Sequence, residues 1–69
     1  SLPALFKSKE AAELTFAQTE ARFRSGMAIT IELADAEELL AQADVRLAVG
    51  RFESLRRRAR LARAIAENP

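Results

Sequence analysis

Leucine recurs every seven residues along the second half of this chain, at Leu33, Leu40 and Leu47 and again at Leu61, with Ser54 as the one interruption. Small residues follow three positions behind, at Ala36, Ala43, Gly50 and Ala64, interrupted by Arg57. A heptad of leucines and small residues predicts a long helix with one tightly packed seam. Alanine and glycine on that seam let a neighbouring backbone come close. The stretch from about Thr30 to about Glu67 contains no proline, so the predicted helix reaches about 57 Å at 1.5 Å per residue.

A shorter helix is predicted ahead of it, over about residues 5–24. Ala12, Phe16, Thr19 and Phe23 stand four, three and four apart, on one stripe that alternates small with aromatic. Its start falls between Pro3, tolerated in a first turn, and Ser8, a candidate N-cap with Glu10 just inside. Arg22 and Arg24 suit the negative end of the helix dipole. Gly26 supplies the left-handed residue that commonly ends a helix. A turn is therefore expected over 25–29. Ile29, Thr30 and Ile31 carry strand propensity, but they are outweighed by the helical pattern that follows. Glu32, Asp35, Glu37 and Glu38 crowd the opening turns of the second helix, where acids are favoured.

The fold class predicted is all-α: an antiparallel, coiled-coil-like helical hairpin forming a single unit over residues 1–69. The seam is expected to contain Phe16, Phe23, Leu33, Ala36, Leu40, Ala43, Leu47 and Gly50. Phe16, Phe23 and Phe52 read as packing residues and not as a ligand box. Two further sets complicate a one-seam picture. Ala34, Ala41, Ala48, Leu55 and Ala62 lie about 100° round from the leucines, and Val45, Phe52 and Ala59 add another stripe. Such a helix expects neighbours on more than one side. The arms are also unequal, and a hairpin turning at Gly26 leaves Arg56 to Pro69 without an intrachain partner. Both features predict a piece of a larger helical barrel, or pairing between copies.

Composition narrows the chemistry. The chain has 69 residues, no cysteine, no histidine, two glycines and two prolines. A domain this small buries little core, and it lacks the usual zinc ligands and most nucleophile–base pairs. Neither a cofactor nor a metal site is expected, and catalysis is the weakest function class. Net charge is +1, which gives the whole chain no strong pull on nucleic acid. The acids Glu32, Asp35, Glu37, Glu38 and Asp44 read as solvated carboxylates, in preference to a metal or acid–base site. Six arginines, Arg51, Arg56, Arg57, Arg58, Arg60 and Arg63, face a single acid, Glu53, over the same stretch. They wrap more than one face and read as a solvated or ion-paired surface. An anionic polymer or membrane surface is the sharper alternative.

One order of features resembles a known family. Phe23-Arg24-Ser25-Gly26-Met27 is followed by Glu32-Leu33-Ala34-Asp35-Ala36-Glu37. Leu40, Ala43, Leu47, Arg51-Phe52, Leu55, Leu61 and Ala64-Ile65 come after that. The whole resembles, without a gap, the C-terminal repeat of TolC-like outer-membrane efflux proteins. The resemblance implies a trimeric parent with a membrane β-barrel and a periplasmic barrel of helical hairpins. This segment would lie in the periplasmic portion of that outer-membrane protein, outside the membrane. It implies that Arg24, Ser25, Gly26 and Met27 form the hairpin tip, contacting a periplasmic adaptor that links to an inner-membrane pump. The implied role is non-catalytic transport. Glu37 departs from the amide usual in the family's Asp-Ala-Gln motif, and Gly50 replaces a better helix former at a cost of about 1 kcal/mol. A free-standing interaction module, either a chaperone or a dimerisation hairpin, is the alternative reading of the same heptads.

Overall fold

The computed structural model describes residues 1–67, and these form two helices joined by a short turn: α1, Leu2–Arg24, and α2, Thr30–Glu67. The predicted turn and the predicted second helix stand where the sequence put them. The first helix starts earlier than expected. Ser1 takes the N-cap place, and its carbonyl accepts the Leu5 N–H at 3.1 Å. Pro3 sits in the first turn, where its missing N–H would have had no helical partner anyway. Ser8 is therefore inside α1 and caps nothing.

The helices lie antiparallel in a rod whose Cα trace measures 65 × 16 × 12 Å. The least exposed positions alternate in steps of three and four on both arms. They are Leu2, Leu5, Lys9, Ala12, Phe16 and Thr19 on α1, against Leu33, Ala36, Leu40, Ala43, Leu47, Gly50 and Ser54 on α2. That alternation is the heptad of a left-handed helix pair. Ala36, Ala43 and Leu47 are buried and Phe16, Leu33, Leu40 and Gly50 half-buried, so seven of the eight expected seam residues line it. Phe23 stands at its margin, 38% exposed. Phe52 does not pack in this seam: it lies half a turn off it and is exposed.

Three polar residues belong to the seam, Ser54 at its open end and Thr19 and Lys9 on α1. Thr19 is buried, and its hydroxyl donates to the Thr15 carbonyl at 2.8 Å, so nothing polar is left unpaired there. Lys9 lays its stem along the seam and carries its ammonium out to Asp44, Nζ to Oδ1 3.2 Å. Farther along, the Arg51 guanidinium sits 4.9 Å from the centre of the Phe6 ring. These contacts tie α1 to α2 on the seam's edges.

At Gly50 the helices meet closely. A Cβ built there would overlap Leu5 Cδ1 and stand 3.4 Å from Leu2 Cδ2. The glycine that weakens α2 as a helix is thus what admits the first turns of α1. Beyond Ser54 the seam continues in sequence as Arg57, Leu61 and Ala64, and these are exposed. Residues Arg56–Glu67 project about 18 Å past α1 and are exposed throughout. Asn68 and Pro69, the end of the expected partnerless stretch, lie outside the described residues.

The turn closes on backbone hydrogen bonds. Ser25 caps α1 at φ −88° and ψ 0°, and Gly26 follows at φ +81°. The Met27 N–H donates to the Arg22 carbonyl at 2.7 Å and the Gly26 N–H to the Phe23 carbonyl at 3.1 Å. This is the paired pattern of a Schellman motif, and it requires the left-handed residue that Gly26 provides. Nothing lies within 4 Å of a Cβ added there. Gly26→Ala is therefore expected to be destabilised purely by backbone strain, by about 1–2 kcal/mol. Urea titration followed by circular dichroism should show a lower midpoint with an unchanged slope.

Candidate functional site

Two surfaces are built by this fold, the turn and the outer side of α2. At the turn, Arg24, Ser25, Gly26 and Met27 are all exposed, and Ile29 and Ile31 join them. Met27 is 74% exposed. The Schellman closure aims the Met27 backbone inward at Arg22 and leaves its side chain in solvent. Ile29 occupies the N-cap place of α2, where its carbonyl accepts the Leu33 N–H at 3.3 Å. An isoleucine cannot cap the helix with its side chain, so Glu32 compensates by reaching back toward the Ile29 N–H, at a long 3.5 Å. The other oxygen of Glu32 pairs with Arg22 Nη2 at 3.2 Å. One carboxylate thus caps α2 and braces the two helices together. The Ser25 hydroxyl donates to the Arg22 carbonyl at 3.0 Å, and Arg24 pairs with Glu20 one turn back at 3.4 Å. The tip backbone is held by these hydrogen bonds and presents apolar side chains beside two ion pairs.

The second surface is a stripe on α2 facing away from α1. It runs from Ile31 to Ala66 in alternating steps of three and four, through Val45, Phe52, Leu55 and six alanines. Glu38 is its only charged member. The stripe lies roughly 150° round the helix from the seam, and each of its residues is exposed. It combines the two extra sets read from the sequence into one heptad seam without a partner. A shallow apolar groove lies on it at Glu38, Ala41, Val45 and their neighbours. The back of α1 carries a thinner version, with Ala4, Ala11, Leu14 and Ala21 exposed at the same alternation.

Charges flank the α2 stripe unevenly. Asp35, Glu37 and Asp44 border its first half, and Arg51, Arg56, Arg58 and Arg63 border its second. Arg56 lies 5.8 Å from the centre of the Phe52 ring, and Arg63 pairs with Glu67 at 3.6 Å. These arginines remain on the surface. Where α1 begins, an open groove of about 380 Å³ lies between Leu2, Leu5, Gly50 and Arg57. It is the mouth of the seam, left where α1 gives out.

Among the described residues, no three or more acids gather closely enough to hold a metal ion. No described helix is long and apolar enough to cross a membrane. The sequence reading had placed only the tip and the inner seam among the site residues. It missed Leu2, which lies ahead of the helix it expected, and Leu5, at the first residue of that helix. It also missed Ile29 and Ile31 at the tip, whose β-branched run was the available signal. Comparison with protein-family models, with curated proteins and with solved structures finds no match to this chain.

Proposed function

We propose that this hairpin is a non-catalytic assembly element: a periplasmic segment of a TolC-like outer-membrane channel, with the turn at Ser25–Met27 meeting a periplasmic adaptor. The observation that carries the reading is the pair of opposed apolar stripes on α2. A helix with one stripe completes a hairpin, whereas a helix with two is suited to a wall, in which each hairpin has neighbours on both sides. The thinner stripe on the back of α1 supplies the matching surface. Repeated head to tail, such contacts close into a ring when the rotation per unit allows it. The order of Gly26, Asp35-Ala36 and Arg51-Phe52 gives the wall its TolC-like identity by resemblance. The exposed apolar tip is suited to a protein contact, and the arginines past Ser54 would meet acids on neighbouring helices.

Location tests this reading. Met27→Cys, introduced in the parent reading frame, should react with a membrane-impermeant maleimide once the outer membrane alone is permeabilised. Labelling that requires opening the inner membrane would rule the reading out.

A further inference from the structure

The outer stripe of α2 has a property that the channel reading does not use: it is complementary to itself when reversed. We propose that two copies of this chain pair through it, α2 against α2, antiparallel, about a two-fold axis at Ala48.

The register follows from the sequence. With Ala48 facing Ala48 of the second copy, Ala41 falls opposite Leu55 and Val45 within one residue of Phe52, so small or branched residues meet large ones in the middle of the stripe, and Ala34 meets Ala62 farther out. The flanking charges agree with the same register. Glu37 comes within one residue of level with Arg58 and Asp35 within two residues of level with Arg63, distances that the long arginine side chains span, on opposite borders of the stripe. Asp44 and Arg51 are also within one residue of level, though each already has a partner on α1. Glu38, the one charge inside the stripe, falls within one residue of Ala59, between the arginines 56 and 63 of the second copy. A parallel in-register pair would instead bring Asp35 against Glu37 and Arg56 against Arg58, and would set no acid of the borders against an arginine. Charges at such borders fix orientation more than affinity. The affinity comes from the apolar stripe.

The surface area is sufficient. The chain exposes 5693 Å², whereas a compact monomer of 7.6 kDa exposes about 4300 Å². The excess is larger than the roughly 800 Å² per partner of a standard stable interface. The paired length also takes in Arg56–Glu67, the stretch that α1 leaves bare.

The proposal goes beyond the channel reading and does not contradict it. A wall of hairpins with every turn at one end alternates helix direction, so the outer stripe meets an antiparallel helix there too. In the chain by itself that helix is the α2 of a second copy.

Sedimentation velocity from about micromolar to about millimolar chain should show a reversible monomer–dimer equilibrium. Under mild oxidation Ala48→Cys should link to itself. Ala34→Cys should not link to itself but should link to Ala62→Cys in a mixture. Glu37→Arg alone and Arg58→Glu alone should each weaken the dimer by about two- to thirtyfold, with helicity retained. The double exchange Glu37→Arg with Arg58→Glu should restore it. Monomer at every concentration would overturn the proposal. So would self-linking of Ala34→Cys as fast as Ala48→Cys, or a double exchange that fails to restore pairing. None of these outcomes bears on where Met27→Cys is labelled in the cell, so the two readings fail separately.

Discussion

Leu47→Ala is expected to remove up to about half of the helical signal of the dilute chain at room temperature. Leu47 is the only large side chain of the seam that is almost fully covered, at 3% exposed, and it sits midway along α2. Truncating a buried leucine costs about 2–5 kcal/mol, with the lower values where surroundings collapse readily. A hairpin only two helices thick collapses readily, so about 2–3 kcal/mol is the relevant figure. Total stability for a chain of this length is roughly 3–10 kcal/mol on the usual per-residue scale. A core confined to Ala28, Ala36, Ala43 and Leu47 places it at the bottom of that range. Neither helix has a strong claim to persist alone, because isolated helices owe most of their stability to packing. Thermal melts at low micromolar concentration, followed at the helical circular-dichroism minimum, give the readout. A melting curve within a degree or two of the parent chain would show that the seam is not where stability resides.

Gly50→Leu is expected to have the next largest effect, and a different one. The space a Cβ would need is occupied by Leu5 Cδ1. A single methyl displaces only the flexible end of Leu5, and its clash is set against the better helix propensity of alanine, about 1 kcal/mol. A leucine needs the whole place of Leu5. Overpacking of this kind costs about 1–3 kcal/mol, and here it has an outlet, because the clash lies at the open end of the hairpin. The first turns of α1 should therefore peel away while the turn-proximal half stays paired. Amide hydrogen exchange resolves this pattern. Protection should fall from Leu5 to Ala12 and be kept from Phe16 to Arg22. Uniform loss over both arms would mean that the hairpin folds as one indivisible unit.

The two arms were not equally legible in the sequence. On α2 the heptad of leucine, alanine and glycine is unbroken from Leu33 to Gly50, and a period that regular admits one helix and one inner face. The turn was legible because Gly26 follows two arginines at the end of a helical pattern, and a left-handed residue is needed there. On α1 the seam was partly hidden by a polar residue. Thr19 was legible from its place on the stripe with Ala12 and Phe16, and its hydroxyl bonds within its own helix. Lys9 does not look like a seam residue until its stem and its charge are considered separately. The start of α1 was misplaced because proline can sit in a first turn or precede one, and only the Ser1 carbonyl bond to Leu5 decides.

The candidate site was less legible than the fold. The sequence showed that α2 is apolar or small on several sides, but periodicity alone does not say which side α1 takes. The leucine-bearing side wins because leucine offers more area to cover and the intervening small residues let α1 come close. What remains outside, from Ile31 through Val45 and Phe52 to Ala66, is then a complete second seam. It became visible only as the complement of the first.

The turn and the seam together also restrict how this chain can change length. The Schellman closure at Gly26 fixes which residues of α1 and α2 stand level with one another, so a length change in one arm shifts every pairing beyond it. An insertion of one or two residues rotates the rest of that helix and brings a charged face onto its neighbour. A whole heptad added to each arm restores the pattern. Because Arg56–Glu67 already extends past α1, even α1 alone could grow by about one heptad and find Arg57, Leu61 and Ala64 waiting. Homologous hairpins are therefore expected to differ in length by paired steps of one repeat, with the turn as the invariant origin from which both arms are counted.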